Sequence, residues 1–231
     1  MINLTTPSLV EPTFTILHER APARLVVTCV YWGDKYPVEY VHKLKAMVEK
    51  RLHIEHDFIC LSDRDIEGIN TKRLEMKVEG WWNKISLFMP WSFPYGARIL
   101  YLDLDVVVTG DLNTLIYQWT DKALTMIYNF GPNRSHAAHN SSVMMWTHGD
   151  SRVVDIYVQF NSKVASALHG DQCWIWRVLK DDIANWPKEL IQSYKYDCRG
   201  KNINPMTRVV IFHGDPKPHE VKDNFVLQNW I

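Results

Sequence analysis

An α/β fold built on a parallel central sheet with helical crossovers follows from three observations. The chain opens as strand, helix, strand, an order that favours parallel pairing with helical crossovers. Short apolar runs bounded by turn residues recur as far as Phe212, each long enough for one buried strand. With 231 residues and 46% hydrophobic composition, the chain can bury one substantial core. No internal repeat or low-complexity linker marks a boundary, so residues 1–231 read as a single domain, with 1–23 as an N-terminal extension.

Leu25 to Tyr31 is the first buried strand, and Trp32-Gly33-Asp34-Lys35-Tyr36-Pro37 is a turn-rich loop. Val38 to Leu52 carries Val41, Leu44, Val48 and Leu52 at helical spacing. Asp57 to Leu61 is the second strand, followed by a loop from Ser62 to Asn70. The mixed segment Leu74 to Phe88 predicts a helix broken or bent near Gly80 and ended by Pro90 and Pro94. Ile99 to Leu102 and Val106 to Val108 are strands on either side of two acids. Leu124 to Tyr128 and Val143 to Trp146 are two more, separated by the polar insert Asn129 to Asn140. A helix is expected from Arg152 to Val164 with Ser151 as its cap, and Asp171 would cap the next one, on Trp174, Ile175, Val178 and Leu179. A loop-rich region from Asp181 to Thr207 precedes the last strand, Arg208 to Phe212.

The 26 basic residues balance the 26 acidic ones, so bulk charge gives no reason to expect nucleic acid or a membrane surface as partner. An anion site must be local. Cys29, Cys60, Cys173 and Cys198 are widely spaced, and the first two sit in apolar runs, which predicts buried thiols and a reducing compartment. No stretch approaches the roughly 20 apolar residues of a membrane span, so a soluble, cytoplasmic protein without a transmembrane segment is expected. Ten tryptophans are enough to fill a core and still wall a cleft for sugar or base stacking.

The chemistry concentrates in two clusters. Asp103 and Asp105 lie two apart between apolar runs, so both carboxylates can turn into the crevice at a strand's carboxyl end, where open α/β sheets bind ligands. Hard oxygens there suit Mg²⁺ or Mn²⁺ with a substrate phosphate, and the same pair would also simply end a strand and cap a turn. His213-Gly214-Asp215-Pro216-Lys217-Pro218-His219 follows the last strand. It offers an imidazole, a glycine that lets backbone approach a phosphate, and a lysine between two prolines; a stiff polar turn is the plainer reading. Together the clusters suffice to hold a metal-bound diphosphate. Asp171-Gln172 at a helix start and Asn140-Ser141-Ser142 before an apolar run are further polar patches suited to hydroxyls.

These pieces, Tyr101 to Leu112 with its Asp-x-Asp and trailing Gly110-Asp111-Leu112, Asn140 to Trp146, Asp171-Gln172 and Gly214-x-x-Lys217-Pro218, resemble in order and pattern a GT-A fold glycosyltransferase. The closest pattern is the glycogenin and lipopolysaccharide galactosyltransferase group of family 8. The resemblance implies a mixed, mostly parallel central sheet flanked by helices, and metal-dependent transfer of a sugar from a nucleotide-diphosphate donor, a UDP-sugar above all, to an acceptor hydroxyl with retention. It assigns Asp103, Asp105 and His213 to Mn²⁺ or Mg²⁺, and Lys217, Gly214, Asp103 and Leu104 to the nucleotide and diphosphate. Thr28, Cys29, Val30, Tyr31, Tyr36, Ser62 and Asp63 would flank the nucleotide, and Lys84, Asp171 and Gln172 would face donor sugar and acceptor. Two departures stand out. The family's histidine is three positions before the glycine, whereas His213 adjoins Gly214, and His219 replaces a tryptophan. Two rival readings fit fewer pieces: a phosphohydrolase of the haloacid-dehalogenase type with Asp103 as nucleophile, and a non-catalytic carbohydrate-binding or nucleotide-sugar-binding protein on the same fold.

Overall fold

The computed structural model describes residues 24–76, 78–118, 120–130 and 138–231, so the expected extension 1–23 and the middle of the polar insert lie outside the described residues. The chain runs β1 (Leu25–Tyr31), α1 (Glu39–Arg51), β2 (Asp57–Ser62), β3 (Asn70–Arg73) and a 3₁₀ segment (Gly80–Phe88). It continues through β4 (Arg98–Leu102), β5 (Val106–Val108), α2 (Asn113–Ile116), β6 (Leu124–Tyr128) and β7 (His139–Thr147). Helices α3 (Ser151–Val158), α4 (Ser162–Ala167) and α5 (Asp171–Leu179) follow, then β8 (Ile183–Asn185), β9 (Ile191–Ser193), β10 (Val209–Ile211) and α6 (Asn224–Asn229).

Seven strands form one sheet in the order β3-β2-β1-β4-β7-β6-β8. The first four pair in parallel, and β7 runs against both β4 and β6, so the sheet is mixed as expected. Every residue of β1 is buried because both faces of the sheet are covered. Leu25, Val27, Cys29 and Tyr31 join the core beneath α1, while Val26 and Val30 join the one beneath α5 and the 3₁₀ segment. Helix α1 presents Tyr40, Val41, Leu44, Met47 and Val48 to the first core, and Glu39 at its start with Lys50 and Arg51 at its end suit the helix dipole. All four cysteines are buried and none is in a disulfide, in line with the reading of Cys29 and Cys60 as buried thiols.

A second sheet places the site. Strand β5 pairs antiparallel with β10, which pairs in parallel with β9. Val106 lies opposite Ile211 and the Phe212 amide donates to the Asp105 carbonyl, so the residues before β5 meet the residues after β10. On the other side, β7 runs antiparallel to β4 with Val143 opposite Leu102, and the Asp103 amide donates to the Ser142 carbonyl. Asn140 to Ser142 therefore border the two acids.

Several local readings change. The expected loop from Ser62 leads at Asn70 into an edge strand, Asn70–Arg73, that the sequence reading leaves unassigned. The expected bent helix from Leu74 is only the 3₁₀ segment Gly80–Phe88, and the helix expected over 152–164 breaks into α3 and α4. Asp150 rather than Ser151 caps α3, its carboxylate accepting from the Arg152 amide. Strand β7 begins at His139, four residues before Val143, and its polar start is buried or half-buried, with the His139 ring paired to Asn185. The region 181–207 holds β8, β9 and a π-helical turn at Tyr194–Cys198.

Candidate active site

A cleft of about 720 Å³ opens where β1 and β4 end, within the size range of small-molecule sites. Of the residues expected at a site, Val30, Tyr36, Lys84, Asp103, Leu104, Asp105, Asp171, Gln172, His213, Gly214 and Lys217 all line it. Thr28, Cys29, Tyr31, Ser62 and Asp63 do not. Thr28, Cys29 and Ser62 are fully buried within the sheet, Tyr31 packs beneath Arg64, and Asp63 is engaged by the Gly33 amide and Arg64.

Two lysine–aspartate pairs form the floor. Lys217 Nζ donates to Asp105 Oδ2 at 2.6 Å, and the Tyr36 hydroxyl donates to the same oxygen at 2.8 Å. Asp105 Oδ1 accepts no hydrogen bond among the described residues. Lys84 Nζ lies 2.8 Å from Asp103 Oδ1 and 3.8 Å from Asp171 Oδ2. The Tyr101 hydroxyl also donates to Asp103, and Ser141 donates to Asp171 at 2.6 Å. Lys84 thus serves two carboxylates at once.

The electrostatics follow from burial and from that sharing. Burial pushes Asp103 up, but Lys84, with hydrogen bonds from Lys84, Tyr101 and Ser142, carries it below the ordinary carboxylate range. Burial dominates at Asp171 and leaves it raised despite Lys84 and Ser141. Lys84 is itself raised: burial opposes its charge, and Asp103 and Asp171 overcome that cost. His213 is lowered, first by burial and then by Lys195, which favours neutral imidazole at neutral pH.

Asp171 is not the cap of α5. Gly170 holds that position, and Asp171 is the first helical residue, its carboxylate turned inward onto Ser141. A Cβ on Gly170 would stand 3.2 Å from Trp81 Nε1, so the missing side chain seats the indole. Gly80, with φ +62, allows the turn that delivers Trp81. Trp81 and Trp32 give the mouth its aromatic walls. The tryptophan count hinted at such walls, but nothing in the sequence separates these two from the buried Trp146, Trp174 and Trp186. Tyr101, inside an apolar strand, likewise gave no signal as a partner of Asp103.

The hard oxygens of Asp103 and Asp105 fit Mg²⁺ or Mn²⁺, both residues line the cleft, and Asp105 Oδ1 accepts no hydrogen bond among the described residues. His213 does not join them as placed. Its Nε2 pairs with Ser193 Oγ at 2.7 Å, and its ring stacks between Phe130 and Tyr196. Among the described residues no group of three or more His, Cys, Asp or Glu side chains converges as a metal cluster.

The fold is that of GT-A glycosyltransferases. The galactosyltransferase LgtC, solved with donor and acceptor sugar analogues, matches at TM-score 0.62 and 15% identity over 84% of this chain and 88% of that one. The glycosyltransferase GlyE of Streptococcus pneumoniae TIGR4 matches at TM-score 0.62 and 13% identity over 90% of this chain, which spans 61% of GlyE. A glycosyltransferase involved in glycosylation of the major capsid of PBCV-1 matches at TM-score 0.57 and 13% identity, with 84% and 94% covered. No family model matches the sequence, and no curated protein matches it. Among the described residues no helix is long and apolar enough to cross a membrane.

Proposed function

We propose that the chain is a glycosyltransferase that moves a sugar from a nucleotide-diphosphate donor, a UDP-sugar foremost, to an acceptor hydroxyl. The observation that carries this reading is the largely buried Lys217–Asp105 pair in a GT-A cleft. Glycosyl transfer builds charge on the departing diphosphate, and a positioned cation that meets that charge lowers the barrier more than it tightens ground-state binding. Lys217 is such a cation, steadied by its own Phe212 carbonyl and by Glu220, whose carboxylate takes the Lys217 amide. Gly214, with φ +74 and no side chain, leaves its backbone open to the phosphates.

Lys84 and Ser141 hold Asp171 at a fixed position beneath the donor sugar, with Gln172 one residue further along the helix start. The galactosyltransferase with the matching fold has also been crystallised with an active-site glutamine exchanged for glutamate. Gln172 is the glutamine this cleft offers. A retaining outcome suits a site in which Asp171 is tied to Ser141 and shares Lys84, for an inverting reaction needs a base free to take the acceptor proton.

A divalent ion would be held by Asp105 with Asp103 beside it, and His213, whose Nε2 is engaged by Ser193, lines the same cleft. When bound, it would neutralise diphosphate charge alongside Lys217.

Thermal stabilisation by a panel of nucleotide sugars, with and without Mn²⁺, tests the proposal. A rise in melting temperature with UDP-sugars that is lost in Lys217→Ala supports it. No shift with any nucleotide sugar would sink it. A phosphoenzyme formed on Asp103 would favour the phosphohydrolase instead, and donor binding without turnover the non-catalytic relative.

A further inference from the structure

A second cavity, of about 280 Å³, lies beside the cleft, and Asn129 lines both. Its volume falls just below the roughly 300–1,000 Å³ of pockets that hold whole cofactors or drug-sized ligands, which suits it to a single ring. The stack of Phe130 on His213 forms part of the partition, with Phe130 on the second cavity and His213 on the cleft.

The lining is amphipathic in a particular way. Ile127, Ile191 and the buried Trp186 form an apolar floor. Tyr128, 41% exposed, stacks on His139, and the Lys188 ammonium lies 5.4 Å from its ring centroid. Glu189 offers a carboxylate that accepts no hydrogen bond among the described residues. Asp197 uses only one oxygen, for the Ser193 amide. An aromatic face, an apolar floor, two carboxylate acceptors and one swinging amine match a pyranose, which has apolar C–H faces and a belt of hydroxyls. One ammonium against two carboxylates disfavours an acidic sugar.

Resting on the transferase reading, we infer that this cavity is a subsite for a neutral sugar one residue removed from the acceptor hydroxyl, so that the natural acceptor is an oligosaccharide. Asn129 then stands where the reacting sugar passes from one cavity to the other.

The test uses the full chain, fluorescently labelled, on an array of neutral mono- to hexasaccharides in the presence of UDP, with calorimetry of UDP binding on the same preparation. Tyr128 and Lys188 are exposed, so Tyr128→Ala and Lys188→Ala are expected to fold. The expected result is retention of saccharides of two or more sugars in preference to monosaccharides, reduced at least tenfold in both variants, with UDP affinity changed less than twofold. If the unmodified chain retains no oligosaccharide, or both variants retain them as well as it does, the subsite is refuted. Absence of UDP binding by the unmodified chain would count against the transferase reading alone, because the array result decides the subsite separately.

Discussion

Lys217 and Asp105 stand 112 residues apart in sequence and 2.6 Å apart in space, and each neutralises the other inside the cleft. The pair is poised rather than permanent. A diphosphate competes with Asp105 for the ammonium, and a divalent ion competes with the ammonium for Asp105. Asp105→Asn is therefore expected to tighten UDP binding in metal-free buffer, because Lys217 is released, and to abolish any further gain on adding Mn²⁺. Lys217→Ala should weaken UDP binding by the value of a hydrogen bond to a charged group, about 1.5–3 kcal/mol, or roughly tenfold to a hundredfold. Calorimetry with and without metal separates the two variants.

Lys84→Met removes the common partner of Asp103 and Asp171 and leaves two buried carboxylates uncompensated. Breaking a buried pair by taking one partner costs about 3–5 kcal/mol. Urea unfolding at pH 7 should show that loss, and adding Asp171→Asn to the same chain should restore part of it. Equal stability of the single and double variants would contradict the shared-lysine arrangement.

The stability of the fold should fall on mild acidification. His139, His148 and His213 are all lowered, each first by burial. A histidine whose folded pKa lies below its unfolded value leaves the unfolded chain binding more protons, so stability is full above the ordinary value near 6.5 and declines as pH falls below it. Chemical denaturation at pH 7.5 and at pH 5.5 reads the difference. A chain with His148→Gln and His139→Gln should show a shallower slope.

Gly170→Ala meets Trp81 at 3.2 Å without backbone strain, since Gly170 is extended. Trp81 is half exposed and can give way, so the expected cost in stability is below about 1 kcal/mol. Displacement of the indole should nevertheless shift the tryptophan emission and raise KM for the sugar substrates. An unchanged KM would remove Trp81 from the site.

The buried strands were legible because a strand covered on both faces must be apolar throughout, as Leu25–Tyr31 is. Asn70–Arg73 was not, for an edge strand of Asn, Thr, Lys and Arg carries no such pattern. The charged members of the cleft were legible by type, since Asp105, Lys217, Lys84 and Asp171 are costly to bury without a purpose. Their pairing was not, because it depends on β5 lying against β10, two three-residue strands whose register no local pattern encodes. The same limit explains Thr28 and Cys29. The sequence places them on a strand near the site, but only the packed sheet shows their side chains enclosed by its two layers.

The junction of β5 with β10 also has a temporal consequence. The acidic half of the cleft, with its helix-borne Asp171, is complete in the first 180 residues, whereas the cationic loop follows a strand beginning at Val209. Lys84 already pairs with Asp103 and Asp171 within that part, whereas Asp105 meets its lysine only across 112 residues, and contacts across such separations form late. Competence to grip a diphosphate is thus acquired only with that long-range closure, so phosphate-ligand binding reports that β5 and β10 have paired.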